Sequence, residues 1–176
     1  TVRGERVCSI AITEPGAGSD AAGISTQATL DAQGRWHLTG NKHFISDGLV
    51  SDFFLVSAVT GDKEISLFLV DKGLPGFAIG RDQPMMGLRG TSHVELWFDD
   101  VVLDADCLLG ERGHGFRMAM DVLGRVRLAQ VAARAVGKAA HVLEKTVAYA
   151  QERKQFGQPV ADFQMVQQQL ADSAIE

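Results

Sequence analysis

One change of rhythm constrains this chain more than any other feature. Up to about residue 113, short apolar runs alternate with glycine-bearing turns. From about Gly115, apolar residues recur at three- and four-residue steps, and no proline interrupts Phe116 to Phe156. Runs bounded by turns mark strands, and three-and-four spacing marks an amphipathic helix. The chain is therefore expected to be α+β, with a β domain over residues 1–112 and helices over residues 113–176.

In the first part the predicted strands are Val7–Ile12, Ile24–Leu30, Trp36–Thr39, Phe53–Ala58, Ile65–Val70, Phe77–Gly80 and Val94–Phe98. Asp31-Ala32-Gln33-Gly34 and Thr60-Gly61-Asp62-Lys63 supply turn residues between neighbours, which points to hairpins in an antiparallel barrel or sandwich. In the second part Leu128, Val131, Ala132, Ala135, Ala139, Val142 and Leu143 form one stripe. A helix of up to about 40 residues, roughly 60 Å long, is predicted there. A second helix begins near Asp162, with Phe163, Val166, Leu170 and Ala174 on its inner side. So wide a stripe needs covering, and the sequence opens on Thr1 and closes within a helical pattern at Glu176. The expectation is an excerpt that holds a complete β domain and the first part of a helical one.

Charge follows the same division. Residues 1–113 carry 9 Lys/Arg against 16 Asp/Glu, whereas residues 114–176 carry 8 against 6. An acidic β part argues against nucleic-acid binding, which needs a basic face, while the helical part keeps cations for a phosphorylated ligand. No stretch of about 18 uncharged apolar residues is present to span a membrane, and no secretory signal pattern is visible. Cys8 and Cys107 are too few for a disulfide framework and lack zinc spacing, so a reducing, cytoplasmic setting is expected. The five histidines show no paired ligand spacing, and no metal is expected.

Four stretches carry candidate chemistry. Ala11-Ile12-Thr13-Glu14-Pro15-Gly16-Ala17-Gly18-Ser19-Asp20 leaves a strand for a turn in which Gly16 and Gly18 permit unusual backbone and close approach of a ligand. Read alone, a tight surface turn is the stronger account. Gly40-Asn41-Lys42-His43-Phe44-Ile45-Ser46-Asp47-Gly48 is the second. Strict alternation sends Phe44 and Ser46 to one face, an aromatic wall beside a hydroxyl that suits a planar heteroaromatic ligand; the alternative puts Phe44 in the core of a short strand. Asp121 and Arg125 pair at i, i+4 early in the long helix, with Arg127 beyond. Arg153-Lys154-Gln155-Phe156-Gly157 closes that helix, either as cations favoured by its dipole or as a phosphate contact through Arg153.

Together these stretches resemble the acyl-CoA dehydrogenase family. Thr13-Glu14-Pro15-Gly16-Ala17-Gly18-Ser19-Asp20 is similar to its first signature. Met86-Gly87-Leu88-Arg89-Gly90-Thr91-Ser92, running on to Glu95-Leu96-Trp97-Phe98-Asp99-Asp100-Val101, is similar to its second. Leu108-Leu109-Gly110, Gly113-His114-Gly115-Phe116 and Glu152-Arg153-Lys154-Gln155-Phe156-Gly157 follow in family order. The resemblance implies a middle antiparallel β-barrel domain followed by the first two helices of a C-terminal four-helix bundle. It implies FAD as cofactor and an acyl-CoA thioester as substrate, oxidised by loss of an α-proton to a glutamate and of a β-hydride to flavin N5. An electron-transferring flavoprotein is the expected acceptor, and a homodimer or homotetramer the expected assembly. The implied location is the cytoplasm, or the mitochondrial matrix in a eukaryote.

The resemblance also implies residue roles. Thr13, with Ile12 alongside, would meet the pyrimidine edge of the flavin, and Ser46 would bond near N5. Phe44, beside Ile45, stands where the family often has tryptophan against the ring. Arg153, Gln155 and Phe156 would reach the FAD of a neighbouring subunit. Ser19 would lie near the thioester arm, and Asp121 with Arg125 or Arg127 would meet CoA. Counting back from Ala135-Val136-Gly137 puts the expected arginine one residue away from Arg127, and Asp104 replaces a common proline. Gly124 and Val126 hold the positions from which some members supply the base, so the catalytic base is expected downstream of residue 176. The alternatives are a non-catalytic flavin- or acyl-CoA-binding module, or an acyl-CoA oxidase or flavin monooxygenase on the same fold.

Overall fold

A computed structural model describes residues 1–176, which divide into two compact units, Thr1–Met120 and Asp121–Glu176. The first unit is built on one eight-stranded sheet: β1 (Cys8–Ala11), β2 (Gln27–Leu30), β3 (Trp36–Ser46), β4 (Phe53–Gly61), β5 (Glu64–Asp71), β6 (Phe77–Asp82), β7 (His93–Leu103) and β8 (Leu108–Leu109). Every predicted strand is present, and β3 and β7 are much longer than their apolar runs. Both predicted turns close antiparallel hairpins, β2 with β3 and β4 with β5.

The sheet is mixed, which corrects the expectation of an antiparallel barrel. Strands run in the order β6-β7-β3-β2-β4-β5-β8, no pairing joins β6 to β8, and β1 pairs with β4 off this path. Both β1 and β2 run parallel to β4 along the same edge, β1 against Phe53–Val56 and β2 at Val59 only. Turn residues report only the strand that comes next, whereas Cys8 finds Phe53 across 45 positions of chain. The consequence is local: Ser57 and Ala58 face a gap between the end of β1 and the start of β2.

One face of the sheet closes over a core that includes Trp36, Leu38, Ile45, Phe54, Val56, Phe68, Val94 and Leu96. The Trp36 and Phe68 rings meet edge-on, 5.2 Å between centroids. Large aromatic and β-branched side chains alternating along paired strands supply most of the burial that holds such a sheet.

Beyond β8 the chain turns helical. Residues Gly115–Val122 form α1, Leu123–Arg127 a π turn and Leu128–Glu152 α2, so the long predicted helix is present with an interruption near its start. A short hairpin, β9 (Lys154–Gln155) with β10 (Gln158–Pro159), and a 3₁₀ turn (Val160–Asp162) lead into α3 (Gln164–Ile175). In this second unit Ala150 is the one buried apolar side chain. No helix is long and apolar enough to cross a membrane.

Candidate functional site

The parity of β3 changes partway along it. Trp36, Leu38 and Lys42 point inward at even numbers, and then Ile45, 2% exposed, takes the core position. A bulge against β7 between Lys42 and Ile45 inserts the extra residue. Phe44 absorbs it with φ of 57°, a left-handed conformation that a bulky side chain adopts only under constraint. Phe44 is therefore turned out, 48% exposed, and Ser46 beside it is also exposed. This excludes the reading of Phe44 as core. It also buries the Ile45 side chain, which leaves that residue only its main chain to offer a ligand.

Thr13 lies next to this bulge. Its carbonyl accepts a 2.8 Å hydrogen bond from the His43 main-chain N–H. The Ser46 carbonyl likewise accepts from Ser9 Oγ at 2.6 Å, and Ser9 shares a further bond with buried Ser51. Thr13 and Ser46 are thus anchored to the rest of the chain through their main chains, and no intramolecular bond engages either hydroxyl. Opposite Ser46 on β7, His93 is buried and its Nδ1 has no partner.

The turn after Thr13 is tight, with Glu14 and Ala17 exchanging two main-chain bonds. Gly16 and Gly18 have no positive φ, and a Cβ on either would meet nothing within 4 Å. No conformation and no neighbour within the chain requires these two glycines; what they leave is open surface. Gly40, by contrast, has φ of 147°, and a Cβ there would lie 2.6 Å from Thr26 Oγ1. Only glycine fits between β3 and the entry to β2.

A buried ion pair fills the gap between β1 and β2. Lys42 Nζ donates to Glu14 Oε1 at 2.8 Å, to the Ile12 carbonyl at 3.1 Å and to Ser57 Oγ at 3.1 Å. Glu14 also accepts from the main-chain N–H groups of Ser25 and Thr26 and from Ser25 Oγ. Burial opposes ionisation of Glu14, but its hydrogen bonds from Lys42, Thr26 and Ser25 outweigh it and bring the carboxyl down to about 2. For Lys42, with no exposed surface, burial outweighs the attraction of Glu14 and lowers the amine to about 8. Both residues stand in the quoted motifs, but the sequence reading gave neither a role. The available signal was a lysine at an inward position of a strand, which needs a buried partner.

The remaining candidates lie elsewhere. Ser19 is exposed on the glycine turn. Asp121 and Arg125 form an exposed i, i+4 pair at 4.0 Å, and Arg125 and Arg127 both belong to the π turn. In the helical unit Arg153 ends α2, its N–H bonded to the Tyr149 carbonyl and its own carbonyl to the Val160 N–H. Gln155 and Phe156 follow on the β9–β10 hairpin, where Phe156 is 95% exposed. Phe156 and Gly157 both have positive φ, as a two-residue hairpin turn demands.

Residues 9–101 match the family described as acyl-CoA dehydrogenase, middle domain, and residues 113–176 the one described as acyl-CoA dehydrogenase, C-terminal domain. The short-chain specific acyl-CoA dehydrogenase of Megasphaera elsdenii is 38% identical over 179 residues, covering 99% of this chain and 46% of that protein. The solved structure of butyryl-CoA dehydrogenase from Megasphaera elsdenii superposes with a TM-score of 0.89 at 38% identity, over 99% of this chain and 46% of that one. An acyl-CoA dehydrogenase complexed with FAD from Bacillus anthracis gives a TM-score of 0.85 at 35% identity, over 94% and 28%. The chain spans about half the length of the curated relatives it matches.

Proposed function

The chain belongs to the acyl-CoA dehydrogenase family, and on that premise we propose that it supplies the flavin-binding shelf and the first bundle helices of an FAD-dependent enzyme that dehydrogenates an acyl-CoA thioester. The observation that carries this reading is the bulge in β3. It turns an aromatic ring outward near Thr13 and Ser46, whose hydroxyl groups nothing within the chain satisfies.

These residues fit an isoalloxazine ring. Phe44 offers a flat apolar face, held edge-on by His43 at 4.1 Å between ring centroids. Thr13 and Ser46 offer donors for a polar rim, Ile12 and the Ile45 main chain lie beside them, and the open surface at Gly16 and Gly18 leaves room for close approach. Arg153, Gln155 and Phe156 would hold the FAD of a neighbouring subunit. Ser19, Asp121, Arg125 and Arg127 would hold acyl-CoA. When bound, FAD supplies the acceptor of the two electrons removed from the substrate. The protein's own contribution is orientation: Phe44 would hold the ring against its face, and the Thr13 and Ser46 hydroxyls would hold its polar rim.

Abstraction of a thioester α-proton needs a positioned base, and Gly124 and Val126 offer none, so the base belongs outside residues 1–176. Residues 1–112 correspond to a middle β domain and residues 113–176 to the start of a four-helix bundle, in a homodimer or homotetramer. An electron-transferring flavoprotein accepts the electrons, in the cytoplasm or the mitochondrial matrix.

The full-length protein, purified gently, is expected to be yellow and to lose its colour anaerobically with an acyl-CoA. Replacing both Thr13→Val and Ser46→Ala is expected to weaken flavin binding by roughly 100-fold, about tenfold for each hydrogen bond lost. A colourless full-length protein that takes up no flavin overturns the reading.

A further inference from the structure

The segment that carries Thr13 is not held by a strand ladder. Pairing along β4 stops at Val56 on the β1 side and resumes at Val59 with β2. Within that gap the main-chain groups of Ile12, Ser25 and Thr26 are satisfied by two side chains, Lys42 and Glu14. Lys42 is a residue of β3, two positions before Phe44. The cation that grips the Ile12 carbonyl is therefore fixed to the strand that carries Phe44 and Ser46.

Stability alone is a weak reason for such a pair. Taking two charges out of water is costly, and apolar side chains of similar volume often fill such a space as well or better. An apolar filling cannot grip the Ile12 carbonyl from one strand while Glu14 grips the Ser25 and Thr26 N–H groups on the other side of the turn. All three ammonium protons are used, on Ile12, Glu14 and Ser57, so the lysine has a single orientation.

We propose that the buried Lys42–Glu14 pair is a positioning device: it sets the Thr13 hydroxyl in register with Phe44 and Ser46, and through that spacing governs how the shelf grips a flavin ring. This rests on the flavin reading given above. Lys42 and Glu14 touch no ligand and act through Thr13 and β3.

The test is flavin binding and the flavin's visible spectrum in the full-length protein, with unfolding followed in parallel. The paired replacement Lys42→Met with Glu14→Gln leaves no buried charge alone. It is expected to fold, to bind FAD roughly tenfold more weakly, the loss of one well-aligned hydrogen bond, and to shift the flavin absorption bands. Combined with Thr13→Val it should cost little more than either change alone, because all act through one contact. Phe68→Leu, a core change away from the shelf, controls for lost stability and should leave affinity and bands unaltered. Unchanged affinity and bands in the paired replacement overturn the proposal, as does an equal weakening in Phe68→Leu. Should the paired replacement fail to fold, Ser57→Ala decides: it removes one of the lysine's acceptors and no charge. A loss of at least about threefold with the same band shift supports positioning, and unaltered binding refutes it. If the unsubstituted protein takes up no flavin, the functional reading falls and this proposal with it; if it binds and the variants bind equally, only the positioning role falls.

Discussion

The two units of this chain spend their apolar residues in opposite ways. Every buried apolar side chain except Ala150 lies between Ala11 and Leu103, and every buried polar one lies in the same unit. The helical unit has a longer apolar stripe than any strand, yet Leu128 and Val136 are about as exposed as its charged residues. A sheet whose strands find one another over tens of residues encloses its own core. A helix meets its hydrogen-bonding needs alone and leaves its stripe for another element to cover. The ion pairs repeat the contrast, Glu14–Lys42 at 2.8 Å and enclosed, Asp121–Arg125 at 4.0 Å in solvent.

The largest test of that contrast is to break one partner of each pair. Lys42→Met leaves the Glu14 carboxylate buried and uncompensated and is expected to cost about 3–5 kcal/mol of unfolding free energy. Arg125→Met should change it by no more than about 0.5 kcal/mol. Urea denaturation of both variants checks this, and similar losses in the two would remove the distinction between enclosed and solvated pairs.

Acid sharpens the same point. Glu14 has its folded value held to about 2, below the ordinary value of 4.5. A carboxyl depressed on folding adds stability that is complete above its unfolded value and is lost as pH falls through its folded one. Stability should therefore drop between about pH 4.5 and 2, by about 3 kcal/mol from this group. Asp31, held to about 2 from its ordinary 3.8 chiefly by the Arg35 main-chain N–H, loses its own share between about pH 3.8 and 2. The Lys42→Met with Glu14→Gln protein should keep the Asp31 part of the acid limb and lose the Glu14 part, as read from unfolding midpoints at successive pH values.

What the sequence showed and what it hid follow from the range of the interactions involved. Strand positions and both hairpin turns were legible because alternation and turn residues act between neighbours, as at Asp31–Gly34 and Asp62–Lys63. The parallel pairing of β1 with β4 was not, because nothing in Val7–Ile12 names a partner 45 residues away. Alternation failed at one place on β3, where Phe44 adopts a conformation that normally announces itself by glycine or asparagine. The outward pairing of Phe44 with Ser46 was legible from local alternation, and the roles of Thr13, Phe44 and Ser46 at a flavin came through resemblance, while the bulge that shifts the parity of β3 was invisible. Lys42 and Glu14 were overlooked because each reads as an ordinary surface charge until β3 places Lys42 inside.

Two phenylalanines in left-handed conformations allow a finer comparison, since Phe44 has φ of 57° in the sheet and Phe156 φ of 53° on the helical hairpin. Glycine at either site relieves strain of about 1 kcal/mol and gives some of it back through the freedom of the unfolded chain. Phe156→Gly, which removes a ring 95% exposed, should raise stability by up to about 1 kcal/mol. Phe44→Gly should gain less, because the half-covered ring and its contact with His43 are lost with it. If both are strained for the sake of a ligand, flavin affinity should fall in each while thermal unfolding stays level or moves upward. A matched loss of stability in both would show that the rings are held for packing.

The smallest expected effect bears most directly on the helical unit. Replacing Leu128→Ala and Val136→Ala together shortens two side chains that are already 68% and 70% exposed. Little apolar area returns to water, and alanine is the better helix former at both positions. The net change for residues 1–176 should stay within about 0.5 kcal/mol. The same two truncations in a core strand, at Leu96 and Val94, would cost several kcal/mol. Circular dichroism at two protein concentrations separates the possibilities. A loss above about 1 kcal/mol that shrinks with dilution would mean that a second copy covers the stripe. A helical content that instead rises slightly, independent of concentration, leaves the stripe open in this chain and places its burial in whatever packs on it in the full-length protein.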